Sequence, residues 1–298
     1  MNFLQRKLFK KRDPVGYQHW KFERRMADFP HPAIDFSTQT ELHFKHSGNA
    51  GDIIYALPTM LAIASGRPIH LHLMTGRPMV MEKGMYHPLG AVTLNEKVAS
   101  ALRPLILSNP QFKTCDLYDG QQVDADLDRF RDYPLLYDRG DIARYYFLIW
   151  GVGYDLSKPW LLVEPDTSYG DAIVVARSHR YRAPGITYNF LGQYPRVVFV
   201  GLPDEYEDFK KMTPAAEYRP VADFLELARI IAGSRLFIGN QSFPFAIAEA
   251  LKVRRLLELY YRVPNVIPEG PNAFDFCFQA PFEKLVRTQY EAAQSLQP

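Results

Sequence analysis

The stretch LHFKHSGNAGDIIYALPTML, residues 42–61, decides the fold. Leu42, Phe44 and His46 alternate with His43 and Lys45, the period of a strand with one more apolar face. Ser47, Gly48, Asn49, Ala50 and Gly51 are small or turn-forming and let the backbone swing tightly past a ligand. Asp52 stands where a helix would begin, and Ile53, Ile54, Leu57, Met60 and Leu61 give that helix an apolar face. Pro58 interrupts the pattern, so the helix is kinked or begins late. A glycine turn at a helix N-terminus offers free N–H groups and a positive dipole end, which suits an anion such as a diphosphate. A carboxylate held there is a cap or a pre-positioned base, and local pattern alone favours the cap.

Upstream, residues 1–40 form a separate basic piece. Arg6, Lys7, Lys10, Lys11, Arg12, Lys21, Arg24 and Arg25 outnumber Asp13, Glu23 and Asp28, with Phe3, Phe9, Tyr17, Trp20 and Phe22 interleaved. Such an arm suits contact with anionic lipid headgroups or nucleic acid. The cations form no clean helical stripe, which favours aromatics packed on the first domain instead. The first residues lack the apolar segment of a secretory signal, and no apolar run approaches a membrane span, so a cytoplasmic protein, peripheral at the inner membrane face at most, is expected. The 298 residues carry a net charge of +2, so no global field favours nucleic acid; 47% are hydrophobic, enough for a real core. Cys115 and Cys277 lack metal-ligand spacing and are expected as reduced thiols.

Downstream, 69–73 alternates as a second strand, with His70 and His72 on one face. No third ligand is evident from sequence, so hydrogen-bonded imidazoles rather than a metal are expected. Residues 75–92 and 119–140 are loops of the kind that hold acceptor contacts. Asp124, Asp126, Asp128 and Asp132, with Arg129 and Arg131, lack the spacing of a calcium loop and imply a solvated charged segment. Helices are expected over 95–107 and 142–152, a strand over 114–118, and a linker over 164–170.

The strand–helix alternation then restarts. Residues 172–176 are continuously apolar, as in a parallel strand buried on both faces. Arg177, Ser178, Arg180 and Arg182 follow at once, beyond a strand's C-terminal end, where α/β sheets bind ligands, and arginine's fork suits a diphosphate. Further strands are expected at 196–201, 235–239 and 256–260, and helices from 204, at 221–232, 245–251 and 282–296. The predicted fold class is α/β, with two Rossmann-like doubly wound domains facing a cleft. Their bounds are 41–166 and 167–280, with 281–298 a helix returning to the first domain.

Gly51-Asp52-Ile53-Ile54-Tyr55-Ala56-Leu57-Pro58 resembles the GD-hydrophobic-LP motif of the ADP-heptose:lipopolysaccharide heptosyltransferases and their relatives. Residues 225–251, with Leu236-Phe237-Ile238-Gly239-Asn240 and Ala248-Glu249-Ala250-Leu251, are similar to that family's donor-binding segment. The resemblance covers roughly 42–65 and 196–260, and not the arm or the middle. It implies a GT-B glycosyltransferase whose substrates are a nucleotide-sugar donor and a glycan or glycolipid acceptor. Inverting, metal-independent transfer without a cofactor follows. Asp52 would then be the general base; Gly48, Asn49 and Gly51 would leave room for acceptor or diphosphate. Arg177, Arg180, Arg182, Asn240, Gln241 and Ser242 would meet the diphosphate or sugar, and Glu249 the ribose, although a surface glutamate fits Glu249 equally well. The family's donor loop carries an acidic residue, a glycine and a histidine where this chain has Gln241, Phe243 and Ala246, which leaves the donor open and weakens the expectation that the chain is active.

Two other functions compete. A glycosyltransferase of modified DNA bases rests on the basic arm alone. A nucleotide- or glycan-binding module that lost its chemistry is compatible with the same fold. A nicotinamide enzyme is weaker, because no GxGxxG follows the first strand.

Overall fold

The computed structural model describes residues 1–27, 35–79, 87–133 and 135–294. Helices α1 (Phe3–Arg12) and α2 (Pro14–Met26) come first. They hold each other through Phe9, Tyr17 and Trp20. The arm's aromatics therefore meet within the arm, with Met26 at its end against the main core, instead of spreading over the first sheet. Phe3, Leu4, Leu8 and Val15 stay exposed.

A first sheet holds β1 (Leu42–His46), β2 (Ile69–Leu73), β3 (Phe112–Leu117) and β4 (Ala125–Asp126), all parallel, in the order β3-β2-β1-β4. Helices α3 (Ala50–Ala64), α4 (Glu96–Leu107) and α5 (Ile142–Trp150) accompany it. Its apolar face sets Leu42, Phe44, Ile69, Leu71 and Leu73 in the core. The alternate positions are His43, Lys45, His70, His72, Thr114 and Asp116, of which only His72 is buried.

The second sheet runs β10-β9-β8-β5-β6-β7, again parallel throughout. Its strands are β5 (Ile173–Ala176), β6 (Val197–Phe199), β7 (Glu217–Tyr218), β8 (Leu236–Asn240), β9 (Arg255–Glu258) and β10 (Ala273–Phe276). Helices α6 (Pro203–Lys210), α7 (Phe224–Gly233), α8 (Phe243–Leu251) and α9 (Gln279–Gln294) complete it. The expectation that the last helix returns to the first domain is corrected: Phe282, Val286 and Tyr290 of α9 are buried with Ile173, Leu236 and Phe276 of the second sheet.

α3 packs along α8 and α4 along α7, and one apolar cluster runs from Ile53 and Leu57 to Phe245 and Ile247. Residues 164–170 are no loose tether. The Asp166 amide donates to the Arg229 carbonyl of α7 at 2.9 Å, and a Cβ at Gly233 would stand 1.9 Å from the Asp166 carbonyl.

Pro58 lies within α3. A proline has no N–H for the carbonyl four residues earlier, here Ile54. That carbonyl accepts the Trp160 indole N–H at 3.0 Å. The Trp160 amide donates to Ala250 of α8 at 3.0 Å, so one residue binds both helices.

Candidate active site

Each sheet has one place where the strand order reverses, and ligands of open α/β sheets bind outside the C-terminal strand ends there. In the first sheet the reversal lies between β1 and β4. The turn after β1 and the short 3-10 helix Leu127–Arg131 after β4 meet at that point. In the second it lies between β5 and β8, where residues 177–182 and 241–242 leave the sheet.

α3 starts earlier than predicted: Asn49 is the N-cap, and Asp52 is in the first turn. Asp52 does not cap. Its Oδ2 accepts from Arg131 Nη2 and, at 3.4 Å, from Asn49 Nδ2. Both bonds fall on one oxygen, and Oδ1 takes neither. Arg131 also reaches Asp128 Oδ1 at 3.2 Å, and Asp128 accepts the Ser47 amide at 3.0 Å. Arg77 donates to Ser47 Oγ at 3.0 Å and lies 3.3 Å from Asp128.

Asp128 and Arg131 correct the expectation of a solvated segment. Asp128 is buried, its carboxyl held below its usual range although burial opposes this, because His46, the Ser47 bonds and Arg131 outweigh it. Leu127 and Phe130, both buried, were the available signal: apolar residues inside a charged run anchor it to the core.

Behind this pair stands an orienting chain. The Gly48 amide donates to His46 Nδ1 at 2.9 Å, which makes Nε2 the protonated nitrogen. Nε2 lies 2.8 Å from the Tyr146 hydroxyl, which donates on to the Asp52 carbonyl at 3.4 Å. Full burial, ahead of the Arg131 charge, pushes the His46 pKa down to about 4, so the ring is neutral near pH 7.

Gly48 makes room for this chain. A Cβ there would lie 2.6 Å from His46 Cε1 and 2.8 Å from Arg131 Nη2. Gly51 faces the other half: a Cβ would meet Phe243 Cα and Ala246 Cβ at 3.9 Å. The first turns of α3 and α8 therefore abut. Of the loop 75–92, residues 80–86 lie outside the described residues. His87 beyond them is near both halves. Burial first, then the Arg180 charge, lower its pKa to about 4, while Asp52 acts in the opposite direction.

In the second crevice most predicted ligand-binding residues have structural work. Arg177 is corrected: it is buried and forks onto Glu258, Nε to Oε2 at 2.7 Å and Nη2 to Oε1 at 2.8 Å. Arg182 pairs with Asp208 and donates to the Ser178 carbonyl at 2.8 Å. Glu249 is corrected on both counts, as ribose contact and as surface residue. It is buried, with Arg255 Nε at 2.6 Å, the Glu269 amide at 3.1 Å and Lys252 on its oxygens. Gln241 holds the 260–265 segment through the Tyr260 amide at 2.7 Å and Asn265 at 3.2 Å. Asn240 is buried and clamps the arginine turn: Oδ1 accepts the Ser178 amide and Nδ2 donates to the Ser178 carbonyl, both at 3.0 Å. Its Nδ2 also donates to the Arg180 carbonyl. Ser242 is the N-cap of α8, with its hydroxyl 3.3 Å from the Asn240 carbonyl. Arg180 lies over the Tyr181 ring at 4.6 Å and, among the described residues, pairs with no carboxylate. A groove of about 640 Å³ lies between Pro104, Leu107, Leu162, Val163 and Leu225. It runs from the C-terminal end of α4 to α7, away from both strand-end crevices.

The fold and these crevices define a parallel two-sheet α/β protein with two helix N-termini brought together at strand ends. No family model matches the chain, and no curated protein matches it by sequence. Among solved structures it is similar to E. coli heptosyltransferase WaaC with ADP, at 10% identity over 86% of this chain and 100% of that one, TM-score 0.51. It is similar also to E. coli ADP-heptose lps heptosyltransferase II, at 9% identity over 86% and 100%, TM-score 0.51. At such identity the likeness is one of fold: the chain has the parallel α/β fold of these GT-B glycosyltransferases.

Proposed function

We propose that the chain is a glycosyltransferase moving a sugar from a nucleotide-sugar donor to a hydroxyl of a glycan or glycolipid acceptor. The observation that carries this reading is the abutment of the α3 and α8 first turns, with Asp52 on one side and Arg180 on the other. The acceptor O–H gives its proton to Asp52 Oδ1 as its oxygen attacks the anomeric carbon. The bond from that carbon to the diphosphate breaks on the opposite face, which inverts the centre. Arg180 and the α8 N-terminus meet the charge on the departing diphosphate. Arg131 and Asn49 hold Oδ2, so that Oδ1 is aimed. No step in this scheme calls for a metal or a cofactor.

The arm suits peripheral contact with an anionic membrane surface: Phe3, Leu4 and Leu8 are exposed beside Lys7, Lys10 and Lys11. Among the described residues no helix is long and apolar enough to cross a membrane. This reading puts the protein on the cytoplasmic side of a membrane that carries its acceptor.

The test is a thermal-shift screen of nucleoside diphosphates and their sugars, followed by turnover of the wild type and Asp52→Asn with the donor that binds. A general base contributes about 10²–10⁴-fold, so the variant loses that much turnover and keeps the thermal shift. Turnover that survives the substitution removes Asp52 from the role. Binding without turnover in the wild type supports the binding module instead.

A further inference from the structure

The polar face of the first sheet carries a cluster that the proposed reaction does not use. The β1–β2 register sets His43 beside His70, and Glu41 immediately precedes β1. Glu41 Oε1 lies 3.5 Å from His43 Nε2, and Oε2 lies 3.4 Å from His70 Nε2. One ligand atom from each of the three residues lies within 4.8 Å of the others. From sequence, His70 and His72 lacked a third ligand. Strand pairing supplies His43 across the sheet, and the chain entering β1 supplies Glu41.

We propose that Glu41, His43 and His70 form a site for a borderline divalent transition ion of the zinc class. Bonds of about 2.1 Å in a tetrahedral site put ligand atoms about 3.4 Å apart, and each glutamate oxygen already stands at about that separation from one of the two imidazole nitrogens. The rings of His43 and His70 stack at 4.6 Å, and side-chain rotation, which the partly exposed His43 and exposed Glu41 allow, draws one glutamate oxygen and the two nitrogens from within 4.8 Å to that separation. The outer nitrogens are also provided for. His43 Nδ1 lies 3.0 Å from His72 Nε2, and His70 Nδ1 lies 3.1 Å from Thr114 Oγ1. With Nδ1–H donated to those partners, each Nε2 turns a lone pair towards Glu41, and a metal ligand's second nitrogen is held in this way. Two lone pairs facing a carboxylate repel until a cation stands between them. Without the ion the His70 Nε2 atom is buried and has no hydrogen-bond partner among the described residues, and a cation supplies one without changing the fold. Two imidazoles and one carboxylate leave positions for water, and the ion is reached from solvent past Glu41. The site lies at the start of β1, whereas Asp52 follows its end, so the ion ties strands together and takes no part in sugar transfer.

The experiment is calorimetric titration of zinc chloride into the tag-free, chelator-stripped full chain, with Glu41→Gln, His70→Ala and Asp52→Asn beside it and magnesium as the hard-ion control. We expect one zinc per chain with a micromolar or tighter Kd, no heat from magnesium, at least tenfold weaker binding in Glu41→Gln and His70→Ala, and unchanged binding in Asp52→Asn. Glu41 is exposed, so its variant keeps the fold and separates loss of a ligand from unfolding. No stoichiometric zinc binding by the wild type, or binding indifferent to Glu41→Gln, overturns the site. Neither result bears on glycosyl transfer, which Asp52→Asn tests independently.

Discussion

The two crevices use similar residues to opposite ends. After β1 and β4, charged groups are arranged around one half-open carboxylate, Asp52, with Arg131 on one of its oxygens. After β5 and β8, the conspicuous polar residues are consumed by the fold: Arg177 by Glu258, Arg182 by Asp208, Asn240 by the 178–180 backbone. A charged residue at a strand end is thus a ligand group only if no distant carboxylate has claimed it. Of the three arginines in this turn, Arg180, held by its own backbone and its Tyr181 stack, is the one that the proposed scheme assigns to the diphosphate.

The largest test of this contrast is Arg177→Ala. It strands Glu258, fully buried with the Tyr188 hydroxyl at 2.8 Å and the Ala183 amide at 2.8 Å. Breaking such a pair costs about 3–5 kcal/mol, read as a lower urea midpoint. If Arg177 instead bound diphosphate, stability would hold and nucleotide affinity would fall.

These partnerships explain what the sequence made legible. Strand and helix order was readable because period and turn chemistry are local, as at 42–61, 95–107 and 236–251. Asp52 and the turn before it were readable for the same reason. Arg131 and Asp128 were not, because their neighbours Ser47 and Asp52 lie about eighty residues away and are brought close only by the pairing of β4 with β1. The roles of Arg177 and Glu249 were hidden for the converse reason: nothing near Arg177 in sequence announces Glu258, and nothing marks Glu249 as the partner of a buried Arg255. Short β4 and β7 carry too few residues to show a period.

The first crevice also has an acid signature. A histidine whose pKa falls on folding contributes stability that is complete above its unfolded value near 6.5 and is lost as pH drops towards about 4. His46 is fully buried, and its loss over that window is on the order of 3 kcal/mol. Asp141, pushed up to about 6 chiefly by burial, has the opposite sign and loses stability as pH rises from about 4 to 6. Urea midpoints between pH 7 and 4.5 are expected to fall, with a shallower fall in His46→Gln and a steeper one in Asp141→Asn. A wild-type slope that His46→Gln leaves untouched would place the proton uptake elsewhere.

Gly48→Ala sharpens the comparison within one turn. Its methyl displaces His46 or Arg131, at about 1–3 kcal/mol, and turnover falls with the misaimed Asp52. Gly51→Ala meets ordinary contacts in a helical position and is expected to be neutral or stabilising by up to about 1 kcal/mol. Equal effects in thermal melts would mean that the two glycines do the same work. Arg180→Ala is expected to act on binding alone: roughly tenfold weaker diphosphate binding, about 1.4 kcal/mol, with the melting temperature unchanged.

The Trp160 latch has a spectroscopic consequence. Its indole is buried, bonded to α3 through Ile54, fastened by its own amide to α8, and covered by Lys252 at 4.5 Å. Only Trp20 and Trp150 emit beside it. With both replaced by phenylalanine, the remaining fluorophore stands on the seam between the halves. A red shift on adding donor would report the seam opening to water, and an unmoved spectrum would mean that the halves stay docked while the ligand enters.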